Sequence, residues 1–189
     1  MSLILLGVLN AQAAGAGGVP AYEHLATTTL GSNASSITLS SLNTYTDYKH
    51  LQIRGRIQGN ATGTGEAYGT WQINGSNVDI MHDIYSQGSS VSGGNPSVFY
   101  FTTNQNDSGN TAGGWTNFTL DFWDFASTGK NSTIRISHGA SPYFPNSPRI
   151  GQTSLGDFST SSVTSLGFSA SIGSLIAGTE WRLYGIKGA

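Results

Sequence analysis

The densest polar constellation in the chain is Asp79, His82 and Asp83, in the stretch VDIMHDIY. Carboxylates and an imidazole at that density are the residue types that bind a divalent metal. Strand geometry works against it. In an extended segment Asp79 and Asp83 share a face with Met81 while His82 points the other way, so the three converge on one ion only through a bend. Asp121 and Asp124, in FTLDFWDF, raise glycoside hydrolysis. Such enzymes use two carboxylates roughly 5 to 9.5 Å apart, but residues offset by three in a strand face opposite sides. An acyl-transfer triad needs an activated serine, a histidine base and an orienting acid. Serines abound here, yet no G-x-S-x-G turn occurs. His24, His50 and His138 sit in or beside predicted strands among ordinary polar residues and read as surface or cross-strand histidines. With three glutamates and seven aspartates in no acidic cleft motif, the chain reads as a non-enzyme that needs no metal or other cofactor.

Binding chemistry is better represented. Trp71, Trp115, Trp123, Trp181 and eight tyrosines could stack sugar rings. Trp115 and Trp123 fall in or near one strand and Trp181 begins the last, which predicts core or inter-subunit burial for most of them. Tyr143 and Phe144, in the loop SPYFPNSP, are the candidates for exposed surface recognition, with a host surface glycan as the partner. Asn-x-Ser/Thr triplets begin at Asn33, Asn60, Asn74, Asn106, Asn117 and Asn131; a chain so rich in these residues produces them by chance, and they imply no glycosylation. Net charge is −2 and the eight Lys and Arg are scattered along the chain, so no basic stripe is set up for a phosphate backbone and nucleic acid is not expected as a partner. Cysteine is absent, which removes disulfides, thiolate metal sites and cysteine nucleophiles together.

The elements that must position these residues are strands. Gly contributes 26 of 189 residues and only 10% are charged, with Ser, Thr and Asn crowding the stretches between apolar runs. That composition disfavours long helices, because interior Gly costs about 1 kcal/mol and Ser, Thr and Asn compete for backbone hydrogen bonds. Short β-favourable runs separated by Gly, Asn, Ser or Pro predict about ten strands: Tyr22 to Leu30, Ser36 to Ser40, Lys49 to Gln58, Tyr68 to Asn74, Ser97 to Thr103, Trp115 to Phe125, Thr133 to His138, Ile150 to Leu155, Leu166 to Ala170 and Glu180 to Lys187. Leu51, Ile53 and Ile57 alternate with Gln52, Arg54 and Gln58, provided no bulge forms at Gly55; Phe118, Leu120 and Phe122 alternate with Asn117, Thr119 and Asp121. Polar loops are expected at Asn60 to Gly65, Gln87 to Asn95, Asn104 to Gly114 and Ser141 to Arg149. The fold class is all-β: one antiparallel β-sandwich over residues 21–189, jelly-roll-like in topology.

Residues 1–20 differ. MSLILLGVL is apolar, and AQAAGAGGVP behind it is a Gly/Ala tether without periodicity. Nine apolar residues fall short of the roughly 20 that span a bilayer, so no membrane span is predicted. A secretory signal needs a basic start, and the first basic residue other than His24 is Lys49. The segment therefore reads as an extended arm anchored on protein by Leu3, Ile4, Leu5, Leu6, Val8 and Leu9. Their burial is worth on the order of 10 kcal/mol gross at about 1.5 to 3 each, against about 1 to 2 kcal/mol per residue for ordering the backbone.

Three stretches carry a family likeness: YEHLATTTLGSNASSITLSSL followed by YKHLQIRGRI, then WQINGSNVDIMHDIY, then GTEWRLYGIKG. Together they resemble small virion structural proteins of tailed bacteriophages. In that group a Tyr-initiated strand, a TLGS turn, a SIT strand and a HLQIR strand follow one another, matched here by Tyr22, Leu30 to Ser32, Ser36 to Thr38 and His50 to Arg54, and the closing LYGIKG is matched by Leu183 to Gly188. The likeness spans Tyr22 to Gly188 and departs from the common NGD turn at Asn74-Gly75-Ser76. It implies a β-sandwich of fibre or decoration type on the particle surface, commonly homotrimeric, with other virion proteins as partners and no catalytic residue. A tail-associated fibre or baseplate component leads among these expectations. A capsid decoration (cement) protein and a glycan-binding host-recognition adhesin are the alternatives.

Overall fold

The computed structural model describes residues 22–61, 66–78, 81–87, 90–94, 98–102, 114–129, 133–140, 149–156 and 161–187. These form thirteen strands: β1 (Tyr22–Thr29), β2 (Ser36–Leu39), β3 (His50–Ile57), β4 (Glu66–Ile73), β5 (Ser76–Asn77), β6 (Met81–Gln87), β7 (Ser90–Gly94), β8 (Phe99–Thr102), β9 (Thr116–Trp123), β10 (Thr133–Ala140), β11 (Arg149–Gly156), β12 (Leu166–Ala170) and β13 (Glu180–Ile186). The described strand pairs are antiparallel. One sheet runs β1-β13-β3-β9-β10-β11-β6-β7; the other runs β2-β12-β4-β5, with β8 also on β4. The chain crosses between the sheets again and again, and the result is the antiparallel, jelly-roll-like β-sandwich expected.

All ten expected strands form. The additions are β5, β6 and β7, the last lying inside the stretch Gln87 to Asn95 expected as loop. β7 reads SVSGG and is exposed at every position, so it has no apolar face to announce it. Asn74 and Gly75 form the two-residue connection from β4 to β5 with φ of 52° and 80°. Positive φ at both central residues is the type I′ requirement, and Asn-Gly is the pair that meets it most cheaply.

The core lies between the sheets and centres on Trp71 of β4. Its indole stacks on Trp181 of β13 at 5.4 Å and meets Phe99, Phe118 and Phe168 edge-on at 5.8, 5.6 and 5.0 Å. Both indoles are fully buried. Such ring pairs add about 0.5–1.5 kcal/mol each beyond their area. Room for them comes from missing side chains. A Cβ on Gly55 would stand 2.5 Å from Phe118 and 3.0 Å from Trp181, and Gly55 is paired directly with both residues. The ladder through Gly55 has no register shift, so Ile57 keeps the phase of Leu51 and Ile53. Gly185 takes the ring of Tyr48 in the same way, with an added Cβ 2.4 Å from it. The hydroxyl of Tyr48, a residue buried over most of its surface, donates to a carboxylate oxygen of Glu23 at 2.5 Å.

Gly55→Ala therefore overpacks the centre of the sandwich and is expected to cost about 1–3 kcal/mol, read as a lower urea midpoint at unchanged slope. Burial, then the bond to Glu23, push the Tyr48 phenol up to about 12 from 10.0. Because the folded value is the raised one, this contribution is complete below pH 10 and disappears as pH climbs toward 12. Stability measured against pH should fall across that window more steeply in the wild type than in Tyr48→Phe; parallel curves would contradict the assignment.

Candidate functional site

Strand alternation sorts the large sheet into an inner face of Leu, Ile, Phe and Trp and an outer face of polar and charged side chains. Toward one end of that outer face, over β1, β13, β3, β9 and β10, side chains from distant parts of the chain form a bonded array. Gln52 is its hub. Its Oε1 accepts from Tyr22 Oη and from Arg54 Nε, each at 3.0 Å, and its Nε2 donates to Asp121 Oδ1 at 2.8 Å. The other carboxylate oxygen of Asp121 accepts from Arg135 Nη2 at 3.2 Å. Tyr22 stacks on Tyr184 at 5.0 Å, and the Arg54 guanidinium lies 5.5 Å and 5.2 Å from the two ring centres. Burial pushes the Tyr22 phenol up, and the positive charge of Arg54 opposes it.

Beside this array, Arg54, Gly55, Arg56, Asn117, Glu180 and Arg182 line an open depression of ≈ 190 Å³. Arg182 stands directly opposite Arg54, and Arg56 directly opposite Glu180. Arg182 Nε donates to Glu180 Oε1 at 2.9 Å, and Arg56 Nε to the Gly178 carbonyl at 3.2 Å while its guanidinium lies 4.8 Å from the Trp115 ring centre. The Lys and Arg residues are scattered in sequence, but strand pairing gathers three of the eight around one depression. With Glu180 the only acid among its lining residues, the depression carries a formal excess of two positive charges in a chain of net charge −2. Opposed like charges destabilise a strand pair, so the Arg54–Arg182 pair, unlike Arg56 opposite Glu180, is not explained by what it does for the sheet.

The residues singled out from sequence fare differently. The arm residues Leu3, Ile4, Leu5, Leu6, Val8 and Leu9, and the loop residues Tyr143 and Phe144, lie outside the described residues, as does Asp79. His82 is exposed on the outer face, whereas Asp83 points inward and accepts from Thr153 Oγ1 at 3.0 Å. No group of three metal-ligating side chains occurs among the described residues. Asp121 faces outward, but Asp124 has left the strand for a turn at φ 55°, with its N–H donating to His50 Nδ1 at 3.3 Å. Of the two expectations for His138, surface or cross-strand, the second holds, in a buried form: it lies within β10 opposite Gly151 and Phe118. It shares the inward phase of Ile134 and Ile136, is buried, and meets Phe99 edge-on at 4.9 Å. Trp71 and Trp181 are core, as expected; Trp123, in the outward phase of β9, and Trp115, just before that strand, are half-buried, each beside an arginine.

Sequence reasoning passed over three asparagines that hold loops in place. Asn74 Oδ1 accepts from the Thr164 and Ser165 N–H groups at 2.7 and 3.2 Å, Asn60 Oδ1 from Ser174 N–H at 2.7 Å, and Asn33 Oδ1 from Ala177 N–H at 3.1 Å. Each begins an Asn-x-Ser/Thr triplet, but the partners lie 90 or more residues away, and no local pattern signals them. Among the described residues no helix is long and apolar enough to cross a membrane. No protein-family model and no curated protein matches the chain.

If the arginine cluster serves binding, its loss should be nearly neutral for folding. Arg54→Gln and Arg182→Gln are each expected to shift unfolding free energy by less than about 1 kcal/mol, because exposed ion and cation–π pairs are worth little and each change relieves a like-charge opposition. A loss of several kcal/mol in urea titration would make the cluster structural.

Proposed function

We propose that the chain is a structural protein of a tailed-bacteriophage virion, a tail-associated fibre or baseplate component displayed on the particle surface. The observation that carries this reading is where the family-like stretches fall. YEHLATTTLGSNASSITLSSL supplies β1 and β2, YKHLQIRGRI supplies β3 and GTEWRLYGIKG supplies β13; β1, β13 and β3 are consecutive neighbours in the large sheet. The two ends of the domain thus build one unit. Inside that unit the residues pack instead of reacting: Tyr48 fits against Gly185, and Leu51, Ile53, Trp181 and Leu183 are core. Motifs that specify strands, turns and ring contacts are what a mechanical part of an assembly needs.

On this reading the domain assembles as a homotrimer, and the apolar arm with Leu3, Ile4, Leu5, Leu6, Val8 and Leu9 docks it to other virion proteins. Three arms acting together anchor far more firmly than one, through effective concentration. The test compares the full-length chain with one lacking residues 1–18, by mass in solution and by incorporation into particles. The truncated chain is expected to stay folded and to be lost from particles. A trimer that falls to monomer on truncation makes the arm an intersubunit clasp, whereas a persistent trimer leaves the arm to dock the particle. Incorporation at the wild-type level would end the anchoring role, and a copy number matching the capsid lattice instead of the tail would move the protein to capsid decoration.

A further inference from the structure

We propose that the depression between β13, β3 and β9 is a binding site for a carboxylate-bearing sugar residue of an acidic polysaccharide. The proposal stands on the outer sheet face alone and holds whether or not the chain belongs to a virion.

The charge pattern comes first. Arg54, Arg56 and Arg182 converge on one depression, two of them directly opposed across the β3–β13 ladder. Each uses its Nε on the protein: Arg54 on Gln52, Arg56 on the Gly178 carbonyl and Arg182 on Glu180. Arg54 also bonds to the Tyr22 phenol, but each guanidinium carries five N–H donors, more than these bonds use. The forks are thus held at the stem with donors left at the tip. A planar carboxylate takes two parallel N–H donors from such a fork, and a guanidinium anchored at Nε has little conformational freedom left to lose on binding.

The rest of the lining decides between anions. Glu180 is an acceptor, and Asn117 is exposed with both a donor and an acceptor. The Glu180 carboxylate repels any anion, a largely doubly charged phosphate more than a singly charged carboxylate, and it accepts from a hydroxyl. A ligand carrying one anionic group and several hydroxyls on a small ring satisfies cations, acceptor and amide together, and inorganic phosphate does not. At ≈ 190 Å³ the depression suits one ring-sized group and not an extended ligand. Single-stranded nucleic acid needs open aromatic faces for its bases. Here Tyr22 and Tyr184 are stacked on each other with Arg54 beside both, and Arg56 lies beside Trp115.

The experiment titrates the folded full-length protein with five probes: a uronate oligosaccharide, a sialate oligosaccharide, a neutral oligosaccharide of equal length, inorganic phosphate and a single-stranded oligonucleotide. At least one of the two carboxylated probes is expected to bind with Kd near or below about 1 mM at low salt, and to weaken as salt screens the charges. Arg54→Gln and Arg182→Gln should each weaken it about tenfold or more, and Arg54→Lys, which keeps the charge without the fork, should recover only part of the loss. Lys49→Gln, an exposed cation outside both the depression and the bonded array beside it, should stay within about twofold. Urea titration of each variant separates lost binding from lost folding. No binding of either carboxylated probe at about 10 mM, equal binding of the neutral probe, tighter binding of phosphate or oligonucleotide, or Arg54 and Arg182 variants that bind like wild type would each overturn the proposal.

Discussion

The contact between Trp71 and Trp181 joins the two sheets, and much of the sandwich is arranged around it. Two indoles stacked at 5.4 Å with three phenyl rings at their edges fill more volume than a strand pair ordinarily leaves between its side chains. The space is made by glycine. Gly55 faces Phe118 and Trp181 across two ladders, and Gly69 leaves room for the ring of Phe168. The indole nitrogens of both tryptophans find no acceptor among the described residues, at a cost of about 1–3 kcal/mol for each lost partner. Ring packing and apolar burial must exceed that cost for the centre to form.

The same contact fixes the outer face. Side chains alternate strictly along a strand, so every inward residue has outward neighbours on either side. Gly55 lies between Arg54 and Arg56, Trp181 between Glu180 and Arg182, and Phe118 between Asn117 and Thr119. The depression therefore sits on the reverse of the sheet from the Gly55–Phe118–Trp181 contact, and five of its six lining residues flank that contact in sequence, the sixth being Gly55 itself. A one-residue slip of β13 against β3 would turn Trp181 outward and Arg182 into the core. Aromatic packing on one side thereby holds the register of charges on the other, and an opposed pair of arginines is tolerated because the ladder beneath it cannot easily shift.

That coupling explains what was legible in the sequence. Leu51, Ile53 and Ile57, and Phe118, Leu120 and Phe122, announce their strands because one face is core and the other water. β6 and β7 lie at the sheet edge, where Ile84 and Val91 are 65% and 75% exposed and Asp83 points inward, so the alternation that would reveal them is broken. The burial of His138 was legible by phase, two residues after Ile136, but its residue type and polar neighbours suggested a surface or cross-strand position; Gly151 opposite leaves space for its ring. Arg54 and Arg56 can be read as outward from their own strand. Their meeting with Arg182 cannot, because it depends on β13 inserting between β1 and β3, a pairing across most of the chain that no local signal encodes.

Placing the cluster on strands instead of loops has an energetic consequence. A loop site must be ordered when its ligand arrives, at about 1–2 kcal/mol for each residue fixed. Arg54, Arg56 and Arg182 start from a backbone already held in ladders on both sides, β3 between β13 and β9, and β13 between β1 and β3. Each guanidinium is then restrained again by its own Nε bond. What remains to be supplied by a ligand is the charge-assisted contact itself, against the desolvation of groups that are already partly covered. A shallow site of this kind is weak for a single group, and it becomes effective when several copies are displayed together.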